Sequence, residues 1–133
     1  MKQLFERRAV ELFEMVPIPS FQELHGLFPV TTESADDINC ILGKSWNQVK
    51  DAGFWNEHYS IPGWLSPKGL KYYLPAIIIS AIQEYEITGD SSTAVDFVVS
   101  IMELYTDEDW AIYTETQQEF IFEWIERLNL TFC

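Results

Sequence analysis

The chain has 133 residues, the size of one ordinary domain, and 47% of them are apolar and 15% aromatic. Its 21 acidic and 8 basic residues leave a formal charge of −13. That much Trp, Tyr and Phe excludes a disordered acidic tail. That much negative charge argues against a nucleic-acid partner, whose phosphates would repel it.

The first segment reads as a helix. Leu4, Phe5, Ala9, Leu12, Phe13 and Val16 recur at three- and four-residue spacing, and Pro17 and Pro19 stop the pattern. Ser20 with Glu23 fits a capping box, followed by a short stripe of Phe21, Leu24 and Leu27 or Phe28 that ends at Pro29. Ser34 with Asp37 resembles a further helix start, with Ile38, Ile41 and Leu42 inward and Gly43 at the C-terminal end. Ser45, Trp46 and Val49 suggest one or two helical turns, and residues 54–59 another short helix.

Ser66-Pro67 is a strong start signal, because serine caps well and proline is favoured at the first helical position. The helix it opens meets Pro75, which cannot bond the Lys71 carbonyl, so a kink or a break is expected there. Beyond Pro75, Ala76, Ile77, Ile78, Ile79, Ala81, Ile82 and Tyr85 are apolar on nearly every side, the mark of a central helix. A buried strand through residues 77–79 is the rival, and the length of the run argues against it. Gly89-Asp90-Ser91 reads as a turn, and residues 92–104 as a helix with Val95, Val98, Val99 and Met102 inward. Thr114 with Gln117 caps the last helix, which buries Phe120, Ile121, Trp124, Ile125 and Leu128. With no internal repeat and no flexible linker, the expectation is a single all-α domain over residues 1–133, an irregular helical bundle whose central helix is kinked or broken near Pro75.

Cys40 and Cys133 form neither a disulfide framework nor a zinc spacing. Residues 1–16 carry charges where a secretory signal would be apolar, and the longest greasy run, residues 74–82, is far short of the ~20 residues that span a bilayer. The reading is a cytoplasmic protein with free thiols and no membrane role.

Charge is uneven along the chain. Residues 1–71 hold 9 acids and 7 bases, whereas residues 72–126 hold 12 acids and no base. No nucleotide-binding, metalloprotease, nucleophile-elbow or paired-cysteine motif is present, and no cofactor, metal or catalytic residue is assigned. Asp107, Glu108 and Asp109 fail as a calcium loop, since positions 6 and 12 counted from Asp107 are Ile112 and Gln118. They read instead as a solvated loop. Glu115, Glu119, Glu123 and Glu126 share one helix face with no base to relieve them before Arg127. Like charges at this spacing cost an isolated helix about 0.2–0.5 kcal/mol per pair. The row is either a docking face for a basic protein or a solvated face.

The aromatic stretch before Ser66 offers a second candidate. Trp55, Glu57, His58, Tyr59, Trp64 and Tyr72 could line a small-molecule pocket or an enzyme site, or the aromatics could fill the core.

Gly63-Trp64-Leu65-Ser66-Pro67-Lys68-Gly69-Leu70-Lys71-Tyr72-Tyr73-Leu74-Pro75-Ala76 resembles the signature of a bacterial family of unknown function, with its Leu-Ser/Thr-Pro helix start, aromatic pair and Leu-Pro-Ala. Gly43-Lys44-Ser45-Trp46 is similar to that family's Trp-containing element, and Thr114-Glu115-Thr116-Gln117-Gln118 to its Thr-x-x-Gln helix start. The likeness covers scattered pieces of residues 40–128. It implies a small acidic all-α protein of a kind sometimes found as an immunity or accessory protein, with no catalytic residues to carry over.

These observations point to a non-enzymatic protein-binding domain, in its sharpest form an immunity-type inhibitor that covers a basic partner. Asp107, Glu108, Asp109, Glu115, Glu119 and Glu123 are the expected contact residues. The oligomeric state is open.

Overall fold

The computed structural model describes residues 2–13, 18–26, 29–89 and 93–127. The expected apolar positions Val16, Leu27, Phe28 and Leu128, the stop at Pro17, the Asp90-Ser91 part of the turn and Cys133 lie outside the described residues. So do the side chains of Leu4 and Phe5.

The architecture is an all-α bundle. Its elements are α1 (Lys2–Phe13), α2 (Phe21–Leu24), α3 (Thr32–Asn39), a 3-10 turn (Trp46–Val49), α4 (Ala52–Glu57), α5 (Ile61–Trp64), α6 (Pro67–Thr88), α7 (Thr93–Glu103), α8 (Asp107–Trp110) and α9 (Glu115–Arg127). The long α6 is the axis. It packs against α1, α2, α4, α7 and the 3-10 turn.

The 22-residue α6 begins where Ser66 Oγ accepts the Gly69 N–H, and Gly89 closes it in the left-handed conformation at φ 77°. Of the two outcomes foreseen at Pro75, the break does not occur: helix runs uninterrupted through it. The reason is packing. From Tyr72 to Ala81 every side chain is buried, so neighbouring helices hold the segment although Pro75 removes a backbone bond. The same burial settles residues 77–79 as helix.

Two capping boxes fall where the sequence puts them. Ser20 and Glu23 bond reciprocally at the start of α2, and Thr114 and Gln117 at the start of α9. One start is corrected. Thr31 caps α3, with Ser34 as its reciprocal partner, so the helix opens three residues before the Ser34 start that the sequence suggests. Ser34 is then buried rather than terminal, and Leu42 stands partly exposed instead of inward. The short α5 carries no sequence signal beyond Pro62, which sits in its first turn.

Two short strand-like contacts tie the N-terminal third to the axis. Gly26 N–H donates to the Trp64 carbonyl at 2.8 Å, and Ser66 N–H to the Leu24 carbonyl at 2.7 Å. His25 lies buried beside them, with Nδ1 2.9 Å from the Gly26 carbonyl and Nε2 2.9 Å from Ser34 Oγ. Among the described residues, no helix is long and apolar enough to cross a membrane.

Candidate functional site

The last helix has two faces, set by its 3.6-residue period. Gln117, Phe120, Ile121, Trp124 and Ile125 point into the core, where Phe13 meets Phe120 at 6.0 Å between ring centroids. Gln117 also donates to the Leu12 carbonyl at 2.6 Å, which fixes α9 to the end of α1. Opposite the core lie Glu115, Glu119 and Glu126, all exposed. Phe122 lies among them at the same phase and keeps 46% of its surface exposed.

Phe122 is the residue that charge counting missed. Its phase on the helix wheel was the available signal, because a phenylalanine three and four residues from glutamates cannot also face the core. Its ring lies 5.7 Å from that of Trp110. Trp110 in turn meets Tyr105 at 5.2 Å and Tyr113 at 5.5 Å. This aromatic chain couples the α9 face to the acidic turn of α8.

Residues 107–109 do not form the solvated loop that the sequence suggests. They are the first turn of α8, where acids are favoured by the helix dipole. Thr106 Oγ1 accepts the Asp109 N–H, and Asp109 returns a carboxylate oxygen to the Thr106 N–H at 3.0 Å. The carboxylate of Asp109 is therefore partly committed to the cap, while Asp107 and Glu108 are exposed.

Glu123 also departs from the sequence reading. A base does relieve the row: Arg8, from α1, places Nη1 3.2 Å from Glu123 Oε2, with its guanidinium 5.0 Å above the Phe120 ring. Arg127 approaches the other carboxylate oxygen at 3.5 Å. Glu123 is thus engaged inside the fold, unlike the outward-facing Glu115, Glu119 and Glu126. Charge that is segregated along the chain is partly remixed in space.

On the other side of α8 lies an open cleft of about 460 Å³, bordered by Glu23, His25, Ser66, Lys68, Glu108 and Asp109 among others. Lys68 forms an ion pair with Glu23. That contact and the Ser20 backbone hold the Glu23 carboxyl down at about 2. Lys71 Nζ donates to the Ile112 carbonyl at 2.5 Å and sits 5.5 Å above the Tyr113 ring, and burial lowers its pKa. Lys68 and the α8 acids Glu108 and Asp109 thus border the same cleft, and Lys71 ties α6 to the end of α8.

The aromatic pocket candidates take divergent positions. Trp55 and Tyr72 are core side chains, about 1% exposed. Trp55 Nε1 donates to the Val49 carbonyl at 2.5 Å, and Tyr72 packs edge-on against Tyr73 at 4.8 Å. Glu57 is exposed, His58 leans on Phe54 at 4.7 Å, and Tyr59 is half exposed. Trp64 donates to Asp37 Oδ2 at 2.7 Å, an oxygen that also accepts from Ser60 at 2.9 Å. A shallow opening of about 160 Å³ beside Trp64 includes Ser60, Gly63 and Phe97 but none of the other five candidates. Among the described residues, no group of three or more His, Cys, Asp or Glu side chains is placed to hold a metal ion.

Compared with known protein families, curated proteins and solved structures, the chain matches none.

Proposed function

We propose that this is a non-enzymatic protein-binding domain that docks a basic protein through the outward face of α9 and the adjoining turn of α8. The observation that supports it best is Phe122, half exposed at the centre of Glu115, Glu119 and Glu126 and in ring contact with Trp110. Binding energy concentrates in aromatic anchors ringed by groups that exclude water. The surrounding carboxylates supply steering toward positive charge and reject acidic partners. A purely solubilising face has no use for the phenylalanine.

Residues 63–76 resemble a family of unknown function, of a kind sometimes found as immunity or accessory proteins, and that resemblance gives this reading its sharpest form: a cytoplasmic inhibitor covering the basic active surface of a toxin. The test is affinity capture at low and high salt with the wild-type chain and with Glu119→Lys/Glu126→Lys. A basic partner retained by the wild type, released by salt and lost from the variant is the expected result. Retention unchanged by charge reversal sinks the proposal.

A further inference from the structure

We propose that His25 is a proton-operated clasp on the start of α3: a proton gained at Nε2 turns the Ser34 hydroxyl from the imidazole to the Thr31 carbonyl. His25 and Ser34 are both buried, where the end of α2 meets Leu65 and the first turn of α3. The two ring nitrogens have different neighbours. Nδ1 lies 2.9 Å from the Gly26 carbonyl oxygen, which can only accept, so Nδ1 carries a proton in either charge state. Nε2 is then the nitrogen that gains or loses the second proton, and it lies 2.9 Å from Ser34 Oγ.

Ser34 Oγ has one proton and two lone pairs to divide among three neighbours. The Thr31 N–H donates to it at 2.9 Å, and the Thr31 carbonyl, 3.1 Å away, can only accept. With Nε2 protonated, the two N–H groups fill the lone pairs and the hydroxyl proton goes to the carbonyl, so the three contacts are satisfied at once. With Nε2 bare, the imidazole and the carbonyl compete for that one proton. The Thr31 carbonyl keeps the Ala35 N–H at 2.9 Å whichever way the hydroxyl turns, so it can spare the hydroxyl, which moves to Nε2. The Ser34 hydroxyl is also half of the α3 capping box, so the proton on His25 is read out at a helix start.

The charged groups of the elements packed around the ring are already engaged or stand across the cleft. Glu23 of α2 is paired with Lys68 of α6, and Asp37 of α3 is held by Ser60 and Trp64. Glu108 and Asp109 of α8 border the cleft that His25 also lines. The hydrogen bonds that read the proton, to Gly26 and Ser34, are made by neutral groups.

The test is a nuclear magnetic resonance titration of the full chain from about pH 8 to pH 5, the range in which histidines change charge. The neutral ring is expected to carry its proton on Nδ1. As the ring gains its second proton, the Thr31 carbonyl carbon and the Ser34 Cβ should shift with the same midpoint as the ring itself. In Ser34→Ala the ring should still titrate while the Thr31 carbonyl loses most of its response, because the hydroxyl that carries the change is gone. His58→Gln, which removes the other of the chain's two histidines, should leave the coupling intact. A neutral ring protonated on Nε2, a ring that stays in one charge state throughout, or a Thr31 carbonyl that ignores the ring in the wild type overturns the proposal. So does a Thr31 carbonyl that follows the ring equally well in Ser34→Ala. If that variant does not fold, the tautomer and the shared midpoint in the wild type decide the matter.

Discussion

Arg8 and Glu123 lie 115 positions apart in the chain and meet as an ion pair at 3.2 Å. Their contact joins α1 to α9 and brings a base from the near-neutral half of the chain to the acidic half. Both side chains are about 40% exposed, so solvent screens the pair strongly. A double-mutant cycle of Arg8→Met and Glu123→Gln should give a coupling of about 0.2–1 kcal/mol that shrinks in high salt. Arg8→Met alone should cost less than Arg8→Ala, because a methionine still covers the Phe120 ring. A salt-independent coupling above about 2 kcal/mol would contradict the observed exposure.

Two buried tyrosines should respond differently to loss of the hydroxyl. Tyr73 donates toward the Ile41 carbonyl at 3.0 Å and the Lys44 carbonyl at 2.8 Å, tying α6 to the end of α3. Tyr113 is 4% exposed, and its hydroxyl has no hydrogen-bond partner at good geometry, although Tyr105 is close by. Tyr73→Phe should cost about 1–2 kcal/mol in denaturant unfolding, since it leaves a buried network short of its donor. Tyr113→Phe should be neutral or stabilising, because the hydroxyl it removes is buried without compensation. Equal losses in the two variants would show that the Tyr113 hydroxyl is satisfied.

The same tyrosines set an alkaline limit. Burial pushes the Tyr105 phenol up to about 12, with Asp109 adding to the effect, and it raises Tyr113 and Tyr73 as well. A phenol raised in the folded state and ordinary near 10 in the unfolded chain stabilises the fold fully below pH 10. As pH climbs from about 10 toward 12, the unfolded chain releases protons that the folded chain keeps, so stability falls. Tyrosinate absorbance from the buried phenols should therefore rise only above pH 10, together with loss of the folded circular-dichroism signal. A single wave near pH 10 in the folded protein would show that these rings are accessible.

How much of this was legible beforehand depended on whether a feature was local. Ser20, Ser66 and Thr114 announce helices through their own neighbours, and the structure places caps there. The all-apolar run after Pro75 identified the central helix, because composition alone requires it to be buried. Thr31 was missed in favour of Ser34 because both sit before plausible stripes and the tie is broken by tertiary burial of Ser34. Among the candidate site residues, the acids of α8 and α9 could be read from spacing. Arg8 at Glu123 could not, since nothing in a sequence says which distant base folds back onto an acidic row. Trp55 and Tyr72 were ambiguous for the same reason: an aromatic chooses core or pocket by what packs against it.

A close backbone approach at Gly69 makes the last prediction. A Cβ built on Gly69 would lie 2.9 Å from the Leu24 carbonyl oxygen and 3.2 Å from Leu24 Cα. That carbonyl is already fixed by the Ser66 N–H, and Ser66 Oγ donates to the Glu23 carbonyl at 2.6 Å, so neither chain is free to retreat. In an open helix, Gly→Ala would gain roughly 1 kcal/mol. Here overlap with backbone outweighs that gain, and Gly69→Ala should lose about 1–3 kcal/mol net, with amide shifts concentrated at Gly26 and Ser66. Gly63→Ala is the control. Its new methyl would meet the end of the Phe97 ring at 2.7 Å, a side chain on α7 that can swing aside into the shallow opening beside Trp64. The loss at Gly63 should therefore be smaller than at Gly69. A stabilised Gly69→Ala would mean that α2 does not lie as tightly across the start of α6 as the structure shows.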